Sequence, residues 1–389
     1  MTDIQHQGTH AWQQYTIMHL DRRVASIRSD GTCTIYAASF MPYNLYMEQS
    51  KEMDVRVNNL NNFYFWCASR VLTLDRKYAK EILNSIGARQ ATTDKERAAI
   101  SLAYHGVTLT DVYWVKGFRE RITYDEINLF DHSLSDAFVD VSLRGKALTA
   151  QNAQLIAAGD TAGDVATQGA APKAWVRRNG TFYLLKDGDE KEVDAELLAS
   201  RIARCFDVEQ VLYEPFIYDG QKVSASRLMT SRGVSIVPME HVEIYAANHE
   251  TDLYTMIRRY DLHGYCMMNI LDYLVGNTDR HWGNWGFLID NKTNRPLHLF
   301  PLMDYNKAFQ AYDSIEGSRC LTSPKPVSQM DAALEAVQMI GLNQKEEILR
   351  EWFCDPAQWE MFQKRYQLLA GAAKSPVSAS HVKSVVRPQ

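Results

Sequence analysis

The run Gly276-Asn277-Thr278-Asp279-Arg280-His281-Trp282-Gly283-Asn284 places a carboxylate and an amide five residues apart, with a histidine between them. It comes after a stretch, 252–275, whose apolar residues recur at helical spacing with a break suggested near Gly264, and it precedes a strand-like run, 285–289. The turn Asp290-Asn291-Lys292-Thr293-Asn294 and a second strand-like run, 297–302, then lead to Asp304. A hairpin returns its second strand to where the first began, so Asp304 is expected near Asp279 and Asn284 in space. Two acidic residues and an amide oxygen that converge suit phosphoryl transfer from ATP. Hard Mg²⁺ ions prefer a few carboxylate and amide oxygens plus phosphate oxygens, and an acceptor hydroxyl needs a carboxylate to orient it and take its proton.

Such chemistry also needs a cradle for the phosphates, a lysine on a strand and a helix carboxylate to hold that lysine. Residues 156–172 are small and Gly/Ala-rich, which marks a linker or a functional loop; Gly169 could present unhindered backbone N–H groups to a nucleotide or merely end the linker. Two strand-like runs, 173–178 and 181–186, flank Asn179-Gly180, the strongest short-range hairpin signal. Lys186 ends the second run. A helical pattern over 194–203 comes next, and Glu196 on it is the carboxylate expected to meet Lys186, with Glu190 and Glu192 also within reach. Strand-like runs at 222–229 and 234–237 suggest a second hairpin, after which Pro238-Met239-Glu240-His241-Val242 reads as a hinge whose backbone meets adenine, making Met239, Glu240 and Val242 nucleotide contacts. Helical patterns at 330–340, 344–353 and 358–369 close the chain, and the tail from 372 lacks periodicity.

These residues resemble the HipA-like kinases, bacterial serine/threonine kinases named for a toxin of toxin–antitoxin systems. The likeness rests on residues 276–284, on Pro301-Leu302-Met303-Asp304 with its trailing Tyr305-Asn306-Lys307-Ala308-Phe309, and on Gln168-Gly169-Ala170-Ala171-Pro172-Lys173-Ala174, and covers roughly 160–370. The resemblance implies Asp279 as catalytic base, Asn284 and Asp304 as Mg²⁺ ligands, Lys186 as the lysine on the ATP phosphates, and Gly169, Ala170 and Lys173 beside the nucleotide. His281 would orient Asp279, stabilise charge on the γ-phosphate or serve only as a local hydrogen-bonding residue. It further implies an α+β, two-lobed protein-kinase-like fold: an N-terminal mixed α/β accessory domain over 1–155, a small lobe over 156–240, a mainly helical large lobe over 241–371 and a tail over 372–389. The expected partners are a protein substrate bearing an acceptor Ser or Thr and an antitoxin-like or regulatory protein.

The chain departs from familiar kinase signatures. It has no Asp-Phe-Gly, His-Arg-Asp, Gly-x-Gly-x-x-Gly or Ala-Pro-Glu, and Ala166 stands where toxin members carry a phosphorylatable serine. The Asp-Arg-His-x-x-Asn string also resembles phosphoinositide kinases, so a lipid or small-molecule acceptor stays open, as does a pseudokinase that acts by complex formation. Composition bounds the rest. With 389 residues, 46% hydrophobic and 23% charged, the chain can bury a sizeable core, and six scattered cysteines show neither zinc-ligand spacing nor a disulfide framework. A net charge of −5 gives no bulk attraction to nucleic acid or anionic membranes, so no direct nucleic-acid contact is expected. A polar start and the lack of long apolar runs lead to the expectation of a cytoplasmic protein without a membrane span.

Overall fold

The computed structural model describes residues 13–71, 82, 93–132, 143 and 172–374. In the first part, strands β1 (Gln14–His19), β2 (Arg22–Arg28), β3 (Cys33–Ile35) and β4 (Tyr113–Gly117) form one sheet in the order β3-β2-β1-β4. Helix α1 (Met53–Ala68) contains the aromatic run at 62–66 and turns Phe63 and Trp66 onto Ile17, Val24 and Ile27 of the sheet. Helix α2 (Asp94–Ala103) packs on α1 and starts with a capping box, in which Thr93 and Glu96 satisfy each other's backbone N–H groups. A single turn of helix, α3 (Tyr124–Ile127), comes after β4.

The second sheet runs β5-β6-β8-β7. Strands β5 (Lys173–Arg178) and β6 (Thr181–Lys186) are the hairpin expected around Asn179-Gly180, whose positive φ values of 49° and 79° are those a two-residue turn requires. Helix α4 (Glu190–Ala203) begins four residues earlier than its apolar pattern, because Asp189 caps it by accepting from the Glu192 N–H at 2.8 Å. The second hairpin differs from expectation. Strand β8 (Gln221–Arg227) pairs with β7 (Tyr213–Tyr218) through a turn at Asp219-Gly220, both at positive φ. Strand β9 (Val234–Pro238) pairs instead with β10 (Gly286–Asp290), in a third sheet of order β11-β10-β9 completed by β11 (Arg295–Leu299). Gly286 permits this, since a Cβ there would lie 2.1 Å from the Val237 carbonyl oxygen.

The remainder is mainly helical. Helix α5 (Met239–Asn248) starts directly after β9. Helix α6 (Leu253–Val275) is kinked at Asp261, three residues before Gly264; the Asp261 carboxylate takes the Gly264 N–H at 2.7 Å and the Leu299 N–H of β11 at 3.1 Å. Helices α7 (Gln329–Ile340) and α8 (Pro356–Lys374) pack on α6. The helix expected over 344–353 does not form beyond one 3₁₀ turn, Arg350–Trp352, because this segment is strapped to another: Asp207 N–H donates to Asn343 O at 2.9 Å and Lys345 N–H to Cys205 O at 2.7 Å. The tail's first residues, 372–374, still belong to α8, and 375–389 lie outside the described residues. Among the described residues no helix is long and apolar enough to cross a membrane.

Candidate active site

Lys186 closes strand β6, where register sets it opposite Ser224 of β8 on one side and Lys173 of β5 on the other. Its Nζ donates to Glu196 Oε1 at 2.8 Å, to Asp304 Oδ1 at 3.0 Å and to the Tyr213 hydroxyl at 3.3 Å. Glu196 is therefore the helix carboxylate. It shares the buried stripe of α4 with Val193, Ala199 and Ser200, whereas Glu190 is exposed and Glu192 turns elsewhere. Its second oxygen accepts from the Ser224 hydroxyl. Burial opposes the charge on Lys186, but Asp304 and Glu196 outweigh it and hold the ammonium well above its ordinary range. Burial likewise opposes the Asp304 carboxylate, and the Lys186 and Lys173 charges reverse that and keep it ionised well below the usual carboxylate range.

Asp304 reaches this position through pairing that strand patterns do not reveal. Residues 209–211 run beside Leu302: Val211 N–H donates to Leu302 O and Leu302 N–H to Glu209 O, both at 2.9 Å. Asp304 itself has φ of 61°, an uncommon conformation for a residue with a side chain. The surroundings fix it there, since its N–H donates to the Tyr213 hydroxyl at 3.1 Å while its carboxylate takes Lys186.

The loop after α6 starts at Gly276, whose φ of 63° caps the helix; a Cβ there would lie 2.5 Å from the Tyr312 ring. Arg280 organises the rest of the loop. Its Nε and Nη2 bind the two Asp272 oxygens at 2.9 Å each, and its Nη1 binds the Asn284 carbonyl at 3.0 Å and the Met303 carbonyl. One nitrogen thus ties the backbone of Asn284 to that of the residue before Asp304. Asn284 spends its Nδ2 on Asp279 O at 3.0 Å, which leaves its Oδ1 as the donor atom for a cation. The Asp279 carboxylate accepts no hydrogen bond from the described residues and lines the same cleft. His281 Nδ1 accepts from the Gly283 N–H at 3.1 Å, so the ring helps hold the loop, and the residue lines the cleft.

Among the described residues, no cluster of three or more His, Cys, Asp or Glu side chains is placed to hold a metal ion by itself. One carboxylate and one amide oxygen, brought together by Arg280, are nevertheless a donor set that fits Mg²⁺, which keeps most of its shell for water and phosphate oxygens. The cleft has a volume of about 750 Å³, and Lys186, Asp279, His281, Asn284, Asp304 and Lys307 all line it.

No family model matches the chain, and no curated protein does. Among solved structures, a chain of the Shewanella oneidensis MR-1 toxin–antitoxin complex of HipA, HipB and operator DNA matches with a TM-score of 0.50 at 10% identity, covering 92% of this chain and 96% of that one. The Helicobacter pylori proinflammatory kinase CtkA matches with a TM-score of 0.42 at 16% identity, covering 53% of this chain and 91% of that one. The fold is HipA-like.

In this HipA-like fold the segment after Pro238 is not an extended hinge. It is the first turn of α5, where Met239 N–H donates to Trp285 O at 2.8 Å and Glu240 N–H to Trp282 O at 3.2 Å. Met239 and Val242 are wholly buried in the main core and do not line the cleft; the Glu240 side chain does, together with Ile236, Val237 and Pro238 of β9. Lys173 is buried at the start of β5 on the cleft wall, whereas Gly169, Ala170 and Ala166 lie outside the described residues. The N-terminal part, whose sequence shows no chemistry of its own, supplies a wall of the cleft. Thr110 O accepts the Ile236 N–H of β9 at 2.9 Å, and Tyr43, Asn44 and Asp111 line the same space. Sequence reasoning also misses Tyr213, Asp272, Arg280 and Lys307. Arg280 and Lys307 stand inside the motifs, but nothing in a motif says which carbonyl or carboxylate a cation will reach.

Proposed function

We propose that this chain is an ATP- and Mg²⁺-dependent phosphotransferase that moves the γ-phosphoryl group to a hydroxyl, with Ser or Thr of a protein as the acceptor. The observation that carries the reading is Lys186, bonded at once to Glu196 and to Asp304 in a cleft that Asp279 and Asn284 also line. Glu196 aims the ammonium, and Lys186 with Lys173 supplies positive charge for the nucleotide phosphates. Asn284 and Asp304 would hold Mg²⁺, which supplies charge neutralisation on the phosphate oxygens when bound. Asp279, whose carboxylate accepts no hydrogen bond from the described residues, orients the acceptor hydroxyl and takes its proton as that oxygen forms its bond to the γ-phosphorus. The bond from that phosphorus to the bridging oxygen breaks, and ADP leaves with the electron pair. The acceptor class comes from the sequence resemblance, and an antitoxin-like regulatory partner is part of the same proposal.

Incubation of the purified chain with labelled ATP, Mg²⁺ and cell lysate, followed by mass spectrometry, tests this. Label on Ser or Thr of the chain or of a lysate protein, lost with Asp279→Asn, is the expected result. Label in lipid or small molecules would correct the acceptor, and no label in any fraction would sink the phosphotransferase reading.

A further inference from the structure

The residue beside Asp279 is a cation, yet it is unable to serve the substrate. Arg280 is 2% exposed, and its guanidinium is committed to Asp272, Asn284 O and Met303 O. Lys186 is held by Glu196 and Asp304. Lys186 and Lys173 serve the nucleotide phosphates in the reading above, so a cation for the group in transit on the Asp279 side of the cleft would be a separate side chain.

Lys307, three residues beyond Asp304, is placed for that task. It lines the cleft with Asp279 and Asn306, and the Asp279 charge reaches it. Its Nζ donates to Glu192 Oε1 in the first turn of α4. The side chains of this pair are 38% and 21% exposed, so the bond is screened and weak, unlike the buried Lys186 pairs. A lysine carries its charge on a flexible four-carbon stem, and a phosphoryl group bearing about two negative charges outcompetes a single partly exposed carboxylate for it. We propose that Lys307 binds the transferring phosphoryl group, exchanging Glu192 for phosphate oxygens as the nucleotide enters. The inference rests on the phosphotransferase reading above and adds to it a further cation for the transferred group.

A purely structural role makes a different prediction. If Lys307 only ties its loop to α4, then removing either partner of the bond has the same consequence. Calorimetric titration with Mg²⁺ plus ADP, and with Mg²⁺ plus a non-hydrolysable ATP analogue, separates the two in the wild-type chain, Lys307→Met, Lys307→Arg and Glu192→Gln. Lys307→Met is expected to weaken the analogue by about tenfold or more and ADP by about twofold or less, the loss of one charged hydrogen bond to the terminal phosphate. Lys307→Arg recovers part of the loss, and Glu192→Gln keeps the wild-type ratio of analogue to ADP affinity. Equal losses for both nucleotides in Lys307→Met and Glu192→Gln overturn the inference while leaving the phosphotransferase reading standing. If Lys307→Met fails to fold, the ratio is read in Lys307→Gln instead: a loss selective for the analogue supports the inference, and equal losses for both nucleotides overturn it. A wild-type chain that binds neither nucleotide overturns both.

Discussion

Lys186 donates a 3.0 Å hydrogen bond to Asp304, a residue 118 positions later in the chain. The bond joins the end of strand β6 to the loop after β11, and Glu196 at 2.8 Å makes the buried lysine the meeting point of one buried and one partly buried carboxylate. Breaking a buried ion pair costs more than forming it gains, because the surviving charge has no water to return to. Lys186→Met is expected to destabilise the chain by about 3 kcal/mol or more and to abolish phosphotransfer. Urea unfolding of the variant measures the first part; a loss below about 1 kcal/mol would mean that Glu196 and Asp304 are not held as described.

Asp279 offers the opposite case. Its carboxylate takes no hydrogen bond from the described residues, so Asp279→Asn should leave stability within about 0.5 kcal/mol of wild type. Removing the proton acceptor should cut the phosphotransfer rate by about 10²-fold to 10⁴-fold. Single-turnover kinetics beside a thermal melt check both halves, and full activity would remove Asp279 from the mechanism.

Arg280 binds two carbonyls and one carboxylate through a planar fork, a task a lysine ammonium is unable to copy. Arg280→Lys keeps the charge beside Asp272 but releases the Asn284 or Met303 backbone. It should lower activity at saturating ATP while raising the Mg²⁺ concentration needed for half-maximal rate. An unchanged Mg²⁺ requirement would show that Arg280 supports the fold alone.

His19 and His241 set a pH dependence of stability. Burial is the main cause that lowers both from 6.5 to about 4, with Asp111 opposing it, and Arg22 or Arg70 adding to it. Below pH 6.5 the unfolded chain takes up protons that the folded chain refuses until about pH 4. Stability from these groups is thus complete above pH 6.5 and is lost as the pH falls toward 4, by up to about 3 kcal/mol for each histidine. Urea midpoints between pH 7.5 and 4.5 should fall, and less steeply in a His19→Asn, His241→Asn double variant; identical slopes would assign the acid sensitivity to other groups.

Much of the framework is legible in the sequence because its signals are local. Asn179-Gly180 between two apolar runs specifies the β5–β6 hairpin from turn chemistry alone, and the helical pattern over 194–203, with Leu198, Ile202 and Phe206 on one stripe, points to α4 although it misses the first turn. Where local signals stop, pattern misleads. The 234–237 run points to its sequence neighbour as a partner, although β9 joins β10, more than fifty residues on, and the run Phe216-Ile217-Tyr218 before the Asp219-Gly220 turn of β7–β8 is cut short by Pro215, which demotes it as a strand signal. The 344–353 helix fails to form because its backbone N–H groups find carbonyls on the 205–207 segment instead.

The sequence by itself determined which side chains are available: a loop with Asp279 and Asn284, a hairpin that returns the chain to Asp304, and a strand that ends in Lys186. Only the tertiary structure decided that Glu196, not Glu190 or Glu192, holds the lysine, that Arg280 serves the backbone while Lys307 faces the cleft, and that the N-terminal part forms one of the cleft's walls. The physical reason is the range of the forces involved. Turns and periodicity depend on neighbours a few residues away, whereas a buried charge must find its partner wherever in the chain that partner lies, and that choice is made when the core closes.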